Sequence, residues 1–206
     1  MSKYSAGITV VLFAVFCLFC GDAGAGTVFY YTSSPESWVG QGESATVTPD
    51  DGFAFIVQRN YGNGASFYIN NFTPVPDLDN MISWHLDFAA PYNVALQPGQ
   101  YENAIHFTYQ YSEYPGLAFT GNGRANGSIS GYFNVYEAVY GNNDEVISFA
   151  ADFMQYDGGV EDAWSMGGIR YNSDYPIPEP STSALLLAGL PFLGFIWYNN
   201  QNRRTP

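Results

Sequence analysis

The stretch Ile82-Ser-Trp-His-Leu-Asp-Phe88 decides the expected fold, because its apolar and polar residues alternate without exception. In an extended strand, successive side chains point to opposite faces of the sheet. The four apolar side chains would therefore share one face, and the three polar ones would share the other. A period of two residues is typical of a strand with one buried face. The sequence thus predicts a sheet that covers a core on one side.

The same alternation recurs along the chain. It appears in Glu145–Phe153, where Ile147, Phe149, Ala151 and Phe153 share a face, in Ile105, Phe107 and Tyr109, and in Tyr132–Glu137. Shorter strand candidates are Val28–Tyr31, Ser44–Thr48, Phe53–Gln58, Ser66–Asn70 and Gly168–Tyr171. Turn signals such as Gly62-Asn-Gly64 separate the strands. We expect an all-β domain over residues 26–173, an antiparallel β-sandwich of jelly-roll type, with a closed barrel as the alternative.

The charge of this domain restricts its partners. Residues 26–177 contain seventeen acidic side chains and three arginines, Arg59, Arg124 and Arg170, which gives a net charge of −14. Such a surface repels nucleic acid and anionic lipid headgroups. Acidity also keeps an exported protein rich in aromatic residues soluble. We therefore expect no nucleic-acid partner.

The last thirty-three residues form a different kind of segment. A Pro-rich linker, residues 174–180, contains Pro178-Glu179-Pro180 and is followed by Ser181–Tyr198, which has no charged residue. As a helix this segment would span about 27 Å, close to the roughly 30 Å of a bilayer core. Arg203 and Arg204 lie in the remaining tail, residues 199–206. Because basic residues stay on the cytoplasmic side, the acidic domain would lie outside the cytoplasm.

The order of Pro-Glu-Pro, apolar helix and arginine pair resembles the C-terminal sorting signal of bacterial PEP-CTERM proteins. The resemblance implies recognition near Pro178-Glu179-Pro180 by an exosortase, a membrane transpeptidase-like enzyme. Asn199 to Asn202 depart from the family pattern, because the basic cluster there usually follows the helix at once. A plain membrane anchor is the alternative. The domain from Ser37 to Ser173 also resembles exported β-domains of this class, in Trp38-Val-Gly-Gln-Gly42 and Pro98-Gly-Gln-Tyr101, but that resemblance implies no activity.

The N-terminus predicts export as well. Lys3 precedes an apolar run from Ile8 to Phe19, and Ala23-Gly-Ala25 matches a small-residue cleavage site. Residues 1–25 are therefore predicted to be a secretory signal peptide, with a membrane helix or lipidation at Cys20 as alternatives. Both cysteines, Cys17 and Cys20, lie in this segment, so the processed domain would have no disulfide.

No catalytic pattern stands out in the domain. His85 and His106 are isolated histidines on predicted strands, and no zinc spacing or Gly-x-Ser-x-Gly motif is present. Paired carboxylates such as Glu161-Asp162 leave a glycoside hydrolase as a remote alternative. Asp77 and Asp79 are weak calcium candidates, since the full loop pattern is missing. We expect neither a cofactor nor a bound metal.

Tryptophan offers the remaining binding candidates, because an aromatic face can pack against a sugar ring. Trp84 belongs to the predicted core, whereas Trp38 and Trp164 lie in segments rich in Gly and Ser. We expect a non-enzymatic protein that is exported, anchored in the inner membrane, processed at Pro178-Glu179-Pro180 and delivered to the cell surface or extracellular matrix. A carbohydrate-binding module of the exopolysaccharide matrix, contacting glycan through Trp38 and Trp164, is the alternative.

Overall fold

The fold is that of a computed structural model, which describes residues 25–72, 80–142 and 145–177. The chain divides into two units, Met1–Tyr175 and Pro176–Pro206, and only Pro176 and Ile177 of the second are described. Within the described part, no helix is long and apolar enough to cross a membrane. Residues 1–24 of the predicted signal peptide, the predicted membrane helix and the basic tail lie outside the described residues.

Ten strands make up most of the described chain. They are β1 (Gly26–Ser33), β2 (Ser44–Val47), β3 (Ala54–Arg59), β4 (Ala65–Asn70), β5 (Ser83–Ala89), β6 (Gly99–His106), β7 (Gly116–Gly121), β8 (Ile129–Tyr140), β9 (Val146–Asp157) and β10 (Trp164–Ser173). Three short 3-10 helices, at Pro49–Asp51, Pro91–Asn93 and Phe107–Tyr109, lie in the connections. The β-rich class predicted from the alternation is thereby confirmed.

The strands form one hydrogen-bonded sheet in the order β2-β1-β10-β9-β8-β6-β7-β5-β4-β3. Every pair is antiparallel except β6 and β7, which run parallel where Ile105 pairs with Gly116 and His106 with Leu117. This pair departs from the fully antiparallel arrangement expected from the sequence. The sheet curls into a half-barrel, so that its two halves can share one core.

Phenylalanine rings join the two halves of the curled sheet. Phe88 on β5 lies 5.2 Å from Phe133 on β8 and 5.6 Å from Phe149 on β9, between ring centroids. Phe119 on β7 lies 5.2 Å from Phe153 on β9. Aromatic pairs at such distances add to the stabilisation that burial gives. Because the domain has no disulfide to constrain it, this core stabilises it by packing.

Most predicted strands are confirmed, and two differences have clear causes. Strand β7 has the sequence Gly-Leu-Ala-Phe-Thr-Gly and is buried on both faces, so it lacks the alternation that marks the other strands. The predicted strand through Phe107 and Tyr109 is wrong, because β6 ends at His106 and the chain turns there. The Nδ1 atom of His106 accepts a hydrogen bond from the Thr108 N–H at 3.2 Å, which stabilises the turn.

Ile147 also differs from expectation. It was predicted to face the core with Phe149, but it is 46% exposed. Val139 pairs with Ser148 and Tyr140 with Val146, so Ile147 has no partner across the β8–β9 ladder. A residue that bulges out of a ladder leaves the alternation of its strand.

Candidate functional site

A buried carboxylate organises the loop that carries Trp38. Asp157, at the end of β9, accepts hydrogen bonds from the Trp38 backbone N–H at 2.6 Å, the Ser37 hydroxyl at 3.1 Å and the Asn126 amide at 2.6 Å. The Ser37 hydroxyl also lies 2.8 Å from that of Ser165 on β10. Charge-assisted bonds of this kind fix a loop well, because the carboxylate would otherwise be buried without partners. The backbone at Trp38 is held, while its ring is 56% exposed.

The structure places Trp164 in a shallow surface groove. Its volume is about 410 Å³, and its walls are Ser33, Ser34, Pro35, Glu36, Asp162 and Trp164. Trp164 is half-buried, and its backbone N–H donates to the Ser34 hydroxyl at 3.0 Å. Trp38 is not among the residues that form this groove, so the two predicted glycan contacts do not meet in it. The structure confirms the core position predicted for Trp84, which is 4% exposed.

Two tyrosines extend the aromatic surface of Trp164 across the outer face of the sheet. Tyr156 on β9 is the cross-strand partner of Trp164. Tyr132 on β8 lies two residues beyond Ser130, the partner of Tyr156, and therefore diagonally opposite Tyr156. Partial burial, together with Tyr132 and Glu161, raises the pKa of Tyr156 above its ordinary value. Trp164, Tyr156 and Tyr132 thus form an aromatic row on three adjacent strands.

The histidines surround a second buried carboxylate, Asp87. The Ser66 hydroxyl donates to Asp87, and His85 Nε2 lies 3.5 Å from the same carboxylate oxygen. Burial raises the pKa of Asp87, against the opposing effects of His85 and the Ser66 hydrogen bond. In a Ser-His-Asp relay the serine donates to histidine, whereas here Ser66 donates directly to the acid. This arrangement therefore satisfies a buried carboxylate and does not activate the serine.

A third carboxylate, Asp152, neutralises Arg170 on the outer face of the sheet. Arg170 is 1% exposed, and its Nη1 atom lies 2.8 Å from Asp152 Oδ1. The Tyr30 and Tyr136 hydroxyls donate to Asp152 at 2.5 and 3.0 Å. Burial, followed by the hydrogen bond to Asp152, raises the pKa of Tyr30. Tyr175, at the end of the first unit, stacks on Tyr136 with 4.1 Å between centroids. We call these five residues the Arg170 cluster.

The remaining sequence predictions lie largely outside the described residues. This holds for the sorting motif Pro178, Glu179 and Pro180, for Lys3, Ala23, Arg203 and Arg204, and for the calcium candidates Asp77 and Asp79. Ala25 is described and is exposed. Among the described residues, no group of three or more His, Cys, Asp or Glu side chains could hold a metal ion.

Sequence reasoning missed the roles of Asp157 and Asp152, because their partners lie on other elements and include residues more than a hundred positions away. Comparison with known proteins adds no assignment. No protein-family model, no curated protein and no solved structure significantly matches the chain.

Proposed function

We propose that this chain is a non-enzymatic exported protein sorted through its C-terminal segment. An exosortase-type enzyme would process it near Pro178-Glu179-Pro180, after the segment 181–198 has anchored it in the inner membrane. The released domain would reach the cell surface or the extracellular matrix. The order of Pro-Glu-Pro, uncharged apolar segment and Arg203-Arg204 carries this proposal.

The described domain supports a role without catalysis. Two buried aspartates, Asp87 and Asp157, and the half-buried Asp152 are each engaged by hydrogen bonds from neighbouring side chains. Carboxylates occupied in this way stabilise the fold and are not presented to a substrate. In addition, Tyr175 is packed on the domain surface only three residues before Pro178.

We also propose that the curled sheet is a variant of the jelly-roll sandwich. Its two halves face each other across one aromatic core, as the two sheets of a sandwich do. The parallel pair of β6 and β7 marks the place where one half continues into the other.

The mass of the mature protein from its native cell tests the sorting proposal. We expect a mass that shows cleavage at both ends of the chain, near Ala25 and near Pro178-Glu179-Pro180. A Glu179→Ala variant should keep its C-terminal segment and stay in the membrane fraction, and a Glu43→Ala variant serves as the control. Recovery of a full-length wild-type chain from the cytosol would contradict the proposal.

A carbohydrate-binding module is the second candidate, and the aromatic row of Trp164, Tyr156 and Tyr132 favours it. Flat rings on adjacent strands can pack against successive sugars, and the groove beside Trp164 offers polar walls. In a pull-down with exopolysaccharide from the host cell, Trp164→Ala should weaken binding by about tenfold if the row is the site. Trp38→Ala tests whether the separate loop that carries Trp38 contacts the glycan. Unchanged binding by both variants would reject these two tryptophans as glycan contacts.

The same groove is lined by two carboxylates, Glu36 and Asp162, the residue types that a glycoside hydrolase uses. Both are exposed, whereas the acid–base pair of such enzymes works in an enclosed cleft. We therefore favour sugar binding over sugar hydrolysis as the role of this groove. Release of reducing sugar that disappears in Glu36→Gln and Asp162→Asn variants would reverse this order.

A further inference from the structure

Five exposed tyrosines gather at one end of the sheet, where β3 ends, β4 begins, β5 ends and β7 begins. They are Tyr61, Tyr92, Tyr109, Tyr111 and Tyr114, with exposed fractions of 72%, 68%, 65%, 70% and 41%. They belong to three loops, residues 60–64, 90–98 and 107–115, which we call the hairpin, middle and long loops. We call the five residues the tyrosine rim. Large aromatic surface in water usually marks an interaction site.

The hairpin loop is held in place by hydrogen bonds of the Asn60 side chain. The side-chain Oδ1 atom of Asn60 accepts hydrogen bonds from two backbone N–H groups of its own turn, those of Gly62 at 3.1 Å and Gly64 at 2.9 Å. The Asn60 amide donates to a carbonyl of β5, that of Phe88, at 3.0 Å. A Cβ atom at Gly64 would lie 1.8 Å from the same carbonyl oxygen, so the turn packs directly against β5. The Tyr61 ring therefore projects from a fixed backbone.

Side-chain and backbone amides also connect the three loops to one another. Asn63 of the hairpin loop donates to a carbonyl of the middle loop at 2.6 Å. Gln110 of the long loop donates to the Ala90 carbonyl at 3.0 Å, and the Tyr92 N–H donates to the Ser112 carbonyl at 2.5 Å. The tyrosines are thus presented by one hydrogen-bonded frame. A rigid frame reduces the entropy that a binding surface loses when it takes up a ligand.

Tyr92 adds a feature that packing does not explain. Its backbone has φ 60° and ψ 20°, the left-handed conformation that a bulky residue rarely adopts. Its side chain is nevertheless 68% exposed, so the ring gains little from the core in return. Unusual backbone conformations of this kind are concentrated at ligand-binding loops.

The charge of the rim indicates the kind of ligand. The three loops contain one charged side chain, Glu113, in a domain whose net charge is −14. The domain repels polyanions, and the rim offers no cluster of carboxylates to attract a polycation. Tyrosine is common in both protein-binding and sugar-binding surfaces, but arginine and tryptophan, the other two residues enriched in the energetic centres of protein interfaces, are missing from these loops. Hydroxylated rings without net charge fit a neutral ligand with both apolar and hydroxyl surfaces.

We propose that the tyrosine rim is a binding site for an uncharged polysaccharide. The phenol rings would pack against the C–H faces of the sugar rings, and their hydroxyls would exchange hydrogen bonds with sugar hydroxyls. The rim is formed by other residues than the aromatic row of Trp164, and its binding does not depend on the sorting route.

Affinity electrophoresis of the purified full chain tests this site. The gels contain dextran, mannan, a soluble β-glucan or, for comparison, alginate and chitosan as charged polymers. The test variant combines Tyr92→Ala, Tyr109→Ala and Tyr111→Ala, three exposed side chains whose loss should leave the thermal unfolding transition almost unchanged. Tyr68→Ala removes an exposed tyrosine from the outer face of β4 and is the matched control. Trp164→Ala reports on the aromatic row.

We expect at least one neutral polymer to retard the wild-type chain. The triple variant should weaken that retardation by about tenfold or more, while Tyr68→Ala and Trp164→Ala keep it. Retardation by charged polymers alone, or by none of the polymers, would overturn the proposal. Equal retardation of the wild-type chain and the triple variant would do the same. If the triple variant is still retarded by the polysaccharides but no longer binds a protein partner, the rim is a protein interface.

Discussion

Replacing Asp152 by alanine tests how the domain tolerates a buried charge. Arg170 is 1% exposed, and Asp152 is its ion-pair partner at 2.8 Å. Without Asp152, the guanidinium would remain buried and would lose this counter-charge. Breaking a buried pair by removing one partner costs about 3–5 kcal/mol of stability.

The surroundings of the pair place the expected loss at the lower end of this range. The Asp152 side chain is 24% exposed, so water can reach the site and screen the remaining charge. Arg170 also keeps hydrogen bonds to the Ala151 and Ile169 carbonyls at 3.0 and 3.1 Å. Against this, the Tyr30 and Tyr136 hydroxyls lose their acceptor. We expect Asp152→Ala to lower the free energy of unfolding by about 3 kcal/mol.

Urea unfolding of the purified full chain, followed by tryptophan fluorescence, measures this loss. Asp162→Ala removes an exposed carboxylate and should change stability by less than about 0.5 kcal/mol. The double variant Asp152→Ala with Arg170→Met removes the charge with its partner, so it should recover most of the loss. A loss below about 1 kcal/mol for Asp152→Ala, or no recovery in the double variant, would refute the reasoning.

Three further predictions concern other sites. Asp157→Ala should lower the free energy of unfolding by about 2–3 kcal/mol, because several donors lose a buried acceptor. It should also make Trp38 fluorescence more accessible to quenchers, and equal quenching in the variant and the wild-type chain would contradict this. Burial raises the pKa of Tyr140 to about 12, so the stability that its neutral form provides is complete below about pH 10 and is lost as pH rises toward 12. Between pH 8 and 12, the urea midpoint should fall less steeply for Tyr140→Phe than for the wild-type chain, and parallel midpoint curves for the two proteins would contradict this. Gly64→Ala should lower the free energy of unfolding by about 3 kcal/mol or more, because the added Cβ would overlap a carbonyl of β5. Gly127 has open space around it, so Gly127→Ala should leave stability nearly unchanged. Similar unfolding midpoints for the two variants would contradict the packing argument.

The strands were predictable wherever apolar and polar residues alternate along the chain. In β5 the apolar side chains of Trp84, Leu86 and Phe88 are buried, as their alternation indicates. Strand β7 could not be found in this way, because neighbours cover both of its faces and remove the period of two. The parallel pairing of β6 with β7 was equally hidden, since alternation describes the faces of a strand and carries no information about its partner.

Bulges explain why parts of the candidate sites could not be predicted. Val135 pairs with Ala151 and Glu137 with Ala150, so Tyr136 stands outside the β8–β9 ladder. This irregularity lets Tyr136 reach Asp152 and join the Arg170 cluster. A bulge depends on the competing registers of two strands, and the local sequence of one strand does not show it.

The sequence by itself determined the β-rich class, most strand positions, the core position of Trp84 and the acidity of the domain. These properties follow from residue type and from a period of two, which are local. Only the tertiary structure decided the order of strands in one curled sheet, the separation of Trp38 from the Trp164 groove, and the meeting of five tyrosines from three distant loops. Such contacts depend on how strands pair over long sequence separations, because pairing is chosen by the packing of the whole core.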